Sequence, residues 1–156
     1  MKNTVIAAVL AAALALPYQA KARTVTIVAR MNRFGGWSGA YVALYLVGPN
    51  NQYVKTVWMA GRHHWIYHEL VAWDRANHGN WRGVDGVTGA SVGSGQTLTI
   101  HTDIADSLIN AGYSLVVDSK AYARPSREDV RIPLSTQDNG RVVRTHGYIN
   151  EFYYRM

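Results

Sequence analysis

The chain has 156 residues, a formal charge of +6 and no cysteine. Without thiols there are no disulfides, no thiolate zinc site and no iron–sulfur cluster. The basic residues form no run of the kind that binds nucleic acid, so no nucleic-acid partner is expected.

The N-terminus carries a secretion signal. Met1 and Lys2 open the chain, residues 5–17 are uncharged, and Ala20 and Ala22 stand in A-x-A spacing. A basic start, a short apolar core and small residues at that spacing mark a cleaved signal peptide. The apolar stretch is too short to span about 30 Å of hydrocarbon. The sequence therefore predicts that residues 1–22 are removed, that residues 23–156 form one periplasmic domain, and that nothing spans the membrane after cleavage. Loss of Lys2 and Lys21 lowers the formal charge to +4, still basic enough to favour anionic partners or cofactors.

Period-two alternation, with β-branched and aromatic residues, predicts strands over 23–29, 41–47 and 52–59. Gly48-Pro49-Asn50-Asn51 supplies the turn of a hairpin between the last two. Residues 64–76 place Trp65, Leu70 and Trp73 near helical spacing, with no glycine or proline inside. Strands follow at 97–101 and 113–118. A short helix is expected between them over 103–110, capped by Thr102 or Asp103, with Gly112 past its end. The strand at 129–134 belongs on an edge, because Pro133 cannot donate to a ladder. Strands at 141–144 and 148–154 close the chain. Six to eight short strands joined by turns predict a mostly β fold, an immunoglobulin-like two-sheet antiparallel sandwich with one or two short helices. The Ala111-Gly112-Tyr113 step partly matches the tyrosine corner of such sandwiches. Most of the five tryptophans are expected in the core.

Residues 77–96 read as a long glycine-rich loop, with glycines at 79, 83, 86, 89, 93 and 95. Glycine permits close backbone approach to a bound group, and long loops in small domains tend to be functional. Within it stands Asp85-Gly86-Val87-Thr88-Gly89-Ala90-Ser91. This run resembles the attachment motif for covalent FMN, Asp-x-x-Ser/Thr-Gly-Ala-Thr/Ser, found in flavin-carrying subunits of bacterial respiratory complexes and related exported carriers. The resemblance implies that Ser91 is the acceptor. Asp85, Thr88, Gly89 and Ala90 would be recognised by a magnesium-dependent flavin transferase that takes FMN from FAD. Such a transfer needs an aliphatic hydroxyl that attacks phosphorus in line, with small neighbours. The chain ends the motif in Ser where Thr is commoner; both carry the oxygen.

The wider layout is similar to a family of predicted periplasmic proteins, domain of unknown function 2271. The similarity runs through Val57-Trp58-Met59-Ala60-Gly61-Arg62, the segment around Trp73, Asp85 to Ser91, and residues 105–113. Its members look like immunoglobulin-like sandwiches and tend to accompany flavin transferases and PepSY-type membrane reductases. The resemblance implies an electron carrier without turnover of its own, rather than an enzyme.

Other readings of the residues stay open. Trp81 would stack on the isoalloxazine ring or simply anchor the loop. Arg62 and Arg82 are candidates to face a phosphate. His64 and His68, four apart on the expected helix, are candidate metal or haem ligands, with a third from His78, His101 or Asp74. A cofactor-free binding module using the same glycine-rich loop is the other alternative.

Overall fold

The computed structural model describes residues 21–84 and 87–156. Nearly all of the expected secretion signal lies outside the described residues, as do Asp85 and Gly86.

Among the described residues nine strands form two sheets: β1 (Ala22–Met31), β2 (Tyr41–Val47), β3 (Tyr53–Ala60), β4 (Thr88–Gly89), β5 (Thr97–Ala105), β6 (Ser114–Lys120), β7 (Arg127–Pro133), β8 (Val143–Arg144) and β9 (Ile149–Arg155). One sheet runs β5-β1-β9-β8, the other β4-β3-β2-β6-β7. The expected two-sheet sandwich is present. All pairings within the sheets are antiparallel except β3 with β4, which is parallel.

The alternation in the sequence sets the layers. Val25, Ile27 and Ala29 of β1 face Val42, Leu44 and Leu46 of β2 in one apolar core between the sheets. Every residue of β2 is buried, and the alternate set explains why. Tyr41, Ala43, Tyr45 and Val47 project to the other face, where Tyr67, Leu70 and Trp73 cover them. The five-stranded sheet is thus sandwiched between its partner sheet and a helical layer, as a strand apolar on both faces requires. In the hairpin turn Asn51 adopts a positive φ of 61°, and Gly48 N–H donates to Gln52 O at 2.9 Å. β7 lies on an edge, as Pro133 predicted.

Three expectations need correction. The helix predicted over 64–76 is two pieces, a 3-10 helix (His64–Glu69) and α1 (Val71–Ala76), broken where Leu70 takes φ −81°, ψ 79°. The helix predicted over 103–110 is mostly strand. β5 continues to Ala105 and only a 3-10 turn (Asp106–Leu108) follows. Asp103 is no cap: it stands opposite Thr24, whose hydroxyl donates to it at 2.8 Å. Cross-strand pairing outweighed a local capping pattern. Gly112 does take a positive φ, of 81°. Nor are most tryptophans in the core. Trp73 is fully buried and Trp58 partly so, but Trp37, Trp65 and Trp81 are exposed. Tyrosine hydroxyls that lock backbone come from Tyr154, which accepts Ser135 N–H at 2.8 Å, and from Tyr148, which donates to Pro125 O at 2.9 Å. Among the described residues no helix is long and apolar enough to cross a membrane.

Candidate functional site

The acceptor-like segment lies on the edge of the five-stranded sheet beside β3. Thr88 and Gly89 form β4 opposite Met59 and Ala60. Met59 N–H donates to Val87 O at 2.8 Å and Gly61 N–H to Gly89 O at 2.9 Å. Three residues on, Val92 exchanges backbone hydrogen bonds with Ala40, at 2.6 and 3.0 Å. Residues 77–96 are therefore not one free loop. A 3-10 turn (Trp81–Val84) and β4 interrupt it, and the 87–92 stretch is held from both sides.

Two glycines make that close packing possible. A Cβ on Gly89 would sit 2.6 Å from Cζ2 of Trp58, so the strand rests directly on the indole. The Trp58 Nε1–H is buried there with no hydrogen-bond partner among the described residues. A Cβ on Gly39 would sit 2.9 Å from Ser91 Oγ and 2.8 Å from Val92 O. Gly39 thus lets the Ser91 hydroxyl lie close against the backbone of residue 39, and Ser91 itself is half-buried at the surface.

Thr88, Gly89 and Ala90 line one side of a cavity of about 380 Å³, closed by Gly61, Arg62 and Tyr67. Gly61 takes φ +143°, and a Cβ there would collide with the Tyr41 ring at 2.1 Å. Its carbonyl accepts the Tyr67 hydroxyl at 2.8 Å. Burial, then the neighbouring Tyr41, pushes the Tyr67 hydroxyl above its ordinary value, so it stays a neutral donor. Arg62 is the cation of this cavity.

Trp81 is 42% exposed. Its ring stacks on His64 with centroids 5.1 Å apart and planes 15° off parallel. The Arg82 guanidinium lies 5.4 Å from its centroid. Arg62 and Arg82 therefore part company, one lining the cavity beside Thr88–Ala90 and the other over the indole.

The histidine alternative loses its geometry. In a 3-10 helix of three residues per turn, positions i and i+4 are rotated by about 120°, so His64 and His68 do not share a face. His63 packs on Trp65 with centroids 4.3 Å apart, and His64 on Trp81. Among the described residues no three His, Asp or Glu side chains converge on a metal position.

Gly39, Gly61 and Tyr67 escaped the reading of the sequence as site residues. Gly39 carries no signal there, because its role depends on the Ala40–Val92 bridge, a contact distant in sequence.

Neither the curated proteins nor the solved structures include a match to the chain. Residues 22–151 match the family described as "Predicted periplasmic protein (DUF2271)". That match covers most of the chain, strands β1 to β8 and the 87–92 segment included. The chain therefore belongs to this family of predicted periplasmic proteins, domain of unknown function 2271.

Proposed function

We propose that the protein is a periplasmic electron carrier holding FMN as a phosphoester on Ser91. The observation that carries this reading is that Ser91, partly exposed, follows a small-residue segment, Thr88, Gly89 and Ala90, pinned to the edge of the sheet. Arg62 supports it further: a guanidinium suits phosphate oxygens, and it lines the cavity with Thr88, Gly89 and Ala90. When bound, the flavin supplies the redox chemistry, and the protein binds and orients it. Trp81, exposed on the 3-10 turn that precedes the segment in the chain, is the residue offered for stacking. A flavin transferase loads the group, with AMP leaving from FAD. A membrane reductase of the PepSY type is the proposed electron donor.

The test is co-expression with a magnesium-dependent flavin transferase, followed by intact mass and in-gel flavin fluorescence. The wild-type chain should gain the mass of one FMN less water. Ser91→Ala should gain nothing, and Ser91→Thr should be loaded. A flavin on Ser91→Ala would sink the reading.

One observation favours a cofactor-free binding module instead. Trp37, Trp65 and Tyr122 are large, exposed aromatic side chains. Tyr122 and His63, which packs on Trp65, border an apolar cavity of about 620 Å³. Exposed aromatics at one end of a sandwich suit a partner's surface. An unmodified wild-type chain in the co-expression experiment would put this reading first.

A further inference from the structure

A second cavity, of about 370 Å³, opens between the β1–β2 connection, the start of β7 and the segment before β9. Arg33, Arg124, Arg127 and His146 line it, and no carboxylate does. Six ion pairs form among the described residues, and they use Arg23, Arg30, Lys120, Arg131, Arg141 and Arg144. The three arginines of the cavity take part in none. Three positive charges brought together with no ion-pair partner repel one another, an arrangement that an incoming anion relieves.

Asp129 lies against Gly147 of the cavity wall with hydrogen bonds of its own. Its Oδ2 accepts Tyr148 N–H at 2.7 Å, Ile149 N–H at 3.0 Å and the Ser119 hydroxyl. The walls are fixed by hydrogen bonds that do not consume the guanidinium groups. Asn32 Nδ2 donates to Gly147 O at 2.8 Å and Phe34 N–H to Ser94 Oγ at 2.9 Å. On the opposite side Lys120 Nζ donates to the carbonyls of Tyr122 and Arg124 at 2.9 and 2.7 Å, which holds the turn bearing Arg124. Phe34 and Tyr148 meet edge to face at 6.4 Å and give the cavity one apolar wall. The volume is that of a small-molecule site.

We propose that this cavity binds a small oxyanion carrying at least two negative charges, a phosphate ester or a polycarboxylate. Both chemistries present paired oxygens that match the guanidinium fork. The site is separate from Ser91, and its occupancy does not depend on flavin.

Isothermal titration of the full mature domain with pyrophosphate and with citrate, at matched ionic strength of about 0.15 M, tests it. At least one of the two should bind saturably at one per chain, and the better of them identifies the phosphate or carboxylate source. Arg33→Gln, Arg124→Gln and Arg127→Gln should each weaken it about tenfold. Lys55→Gln, an exposed cation outside the cavity, should leave it unchanged. The three arginines are exposed, so circular dichroism should report folded variants throughout. No saturable binding of either anion overturns the proposal, as does equal weakening by Lys55→Gln. Binding of an acidic peptide such as hexaglutamate, with neither small anion bound, also overturns it and makes the cavity a protein-docking surface.

Discussion

Asp118 of β6 accepts the backbone N–H of Trp73 at 3.0 Å, and with the same oxygen that of Ala72 at 2.8 Å. A strand residue thus caps the first turn of α1, a helix of six residues with no side-chain cap of its own. Trp73 is fixed a second time, by Nε1 donating to Thr56 Oγ1 at 2.9 Å. The helical layer over β2 hangs on these contacts. Asp118→Ala should cost about 2–3 kcal/mol in urea unfolding, because the amides of Ala72 and Trp73 lose their shared acceptor.

Asp118 also makes a prediction about pH. Burial, the largest influence, raises its carboxyl above the ordinary 3.8, against the opposing pull of the two amides. The folded protein then holds this proton more tightly than the unfolded chain. The contribution of Asp118 to stability is therefore fully present below pH 3.8 and is lost as pH rises through the folded value. Asp118→Asn removes that dependence. The stability of wild type minus that of the variant should fall between acid and neutral pH. A difference that grew with pH would contradict the assignment.

Gly61 is the backbone hinge of the candidate site. Its φ of +143° and the Tyr41 ring at 2.1 Å from a Cβ position exclude any side chain without movement of the sheet. It also joins β4 to β3 through its N–H and receives Tyr67 through its carbonyl. Gly61→Ala should destabilise by about 3 kcal/mol or more, seen as a lowered Tm in differential scanning fluorimetry. Gly79→Ala, where φ is also positive but nothing lies within 4 Å, should cost about 1 kcal/mol.

Much of the sandwich was legible because its strands alternate. β2 is bounded as the pattern predicts, and Pro133 marked its edge. Errors arose where local and distant partners compete. Asp103 looks like a helix cap in sequence, yet pairing with Thr24 across β1 wins. Trp65 and Trp73 both fit a helical stripe, but the break at Leu70 turns one outward and one into the core. The glycine-rich stretch announced the candidate site, while its strand character rests on hydrogen bonds to Met59, Gly61 and Ala40 that no local pattern encodes. The arginines at 33, 124 and 127 meet only through the fold.

The histidines yield a prediction about metal. His64 and His68 do not share a face of the 3-10 helix, and His64 is engaged with Trp81. A pair without a shared face lacks the convergence on which a zinc site depends. Zinc added to the purified protein should leave its Tm within error. His64→Ala and His68→Ala should leave the metal content of the protein unchanged in elemental analysis. His64→Ala should cost less than about 1.5 kcal/mol, the scale of a ring pair. A zinc-dependent rise in Tm that His68→Ala abolishes would restore the metal reading.

Gly39 separates the acceptor role of Ser91 from mere exposure of a serine. A methyl group at position 39 would approach Ser91 Oγ to 2.9 Å and crowd the acceptor hydroxyl. Gly39→Ala should therefore lose most flavin loading in the co-expression experiment, even where circular dichroism reports a folded chain. Gly35→Ala is the matched control, since nothing lies within 4 Å of its Cβ position. It should load like wild type. The same methyl also presses on Val92 O at 2.8 Å, so some loss of stability accompanies the change. Two readouts keep the effects apart: Tm reports the strain on the Ala40–Val92 bridge, and flavin per folded chain reports access to the hydroxyl. If Gly39→Ala is loaded as fully as Gly35→Ala, the phosphoester does not form beside Gly39.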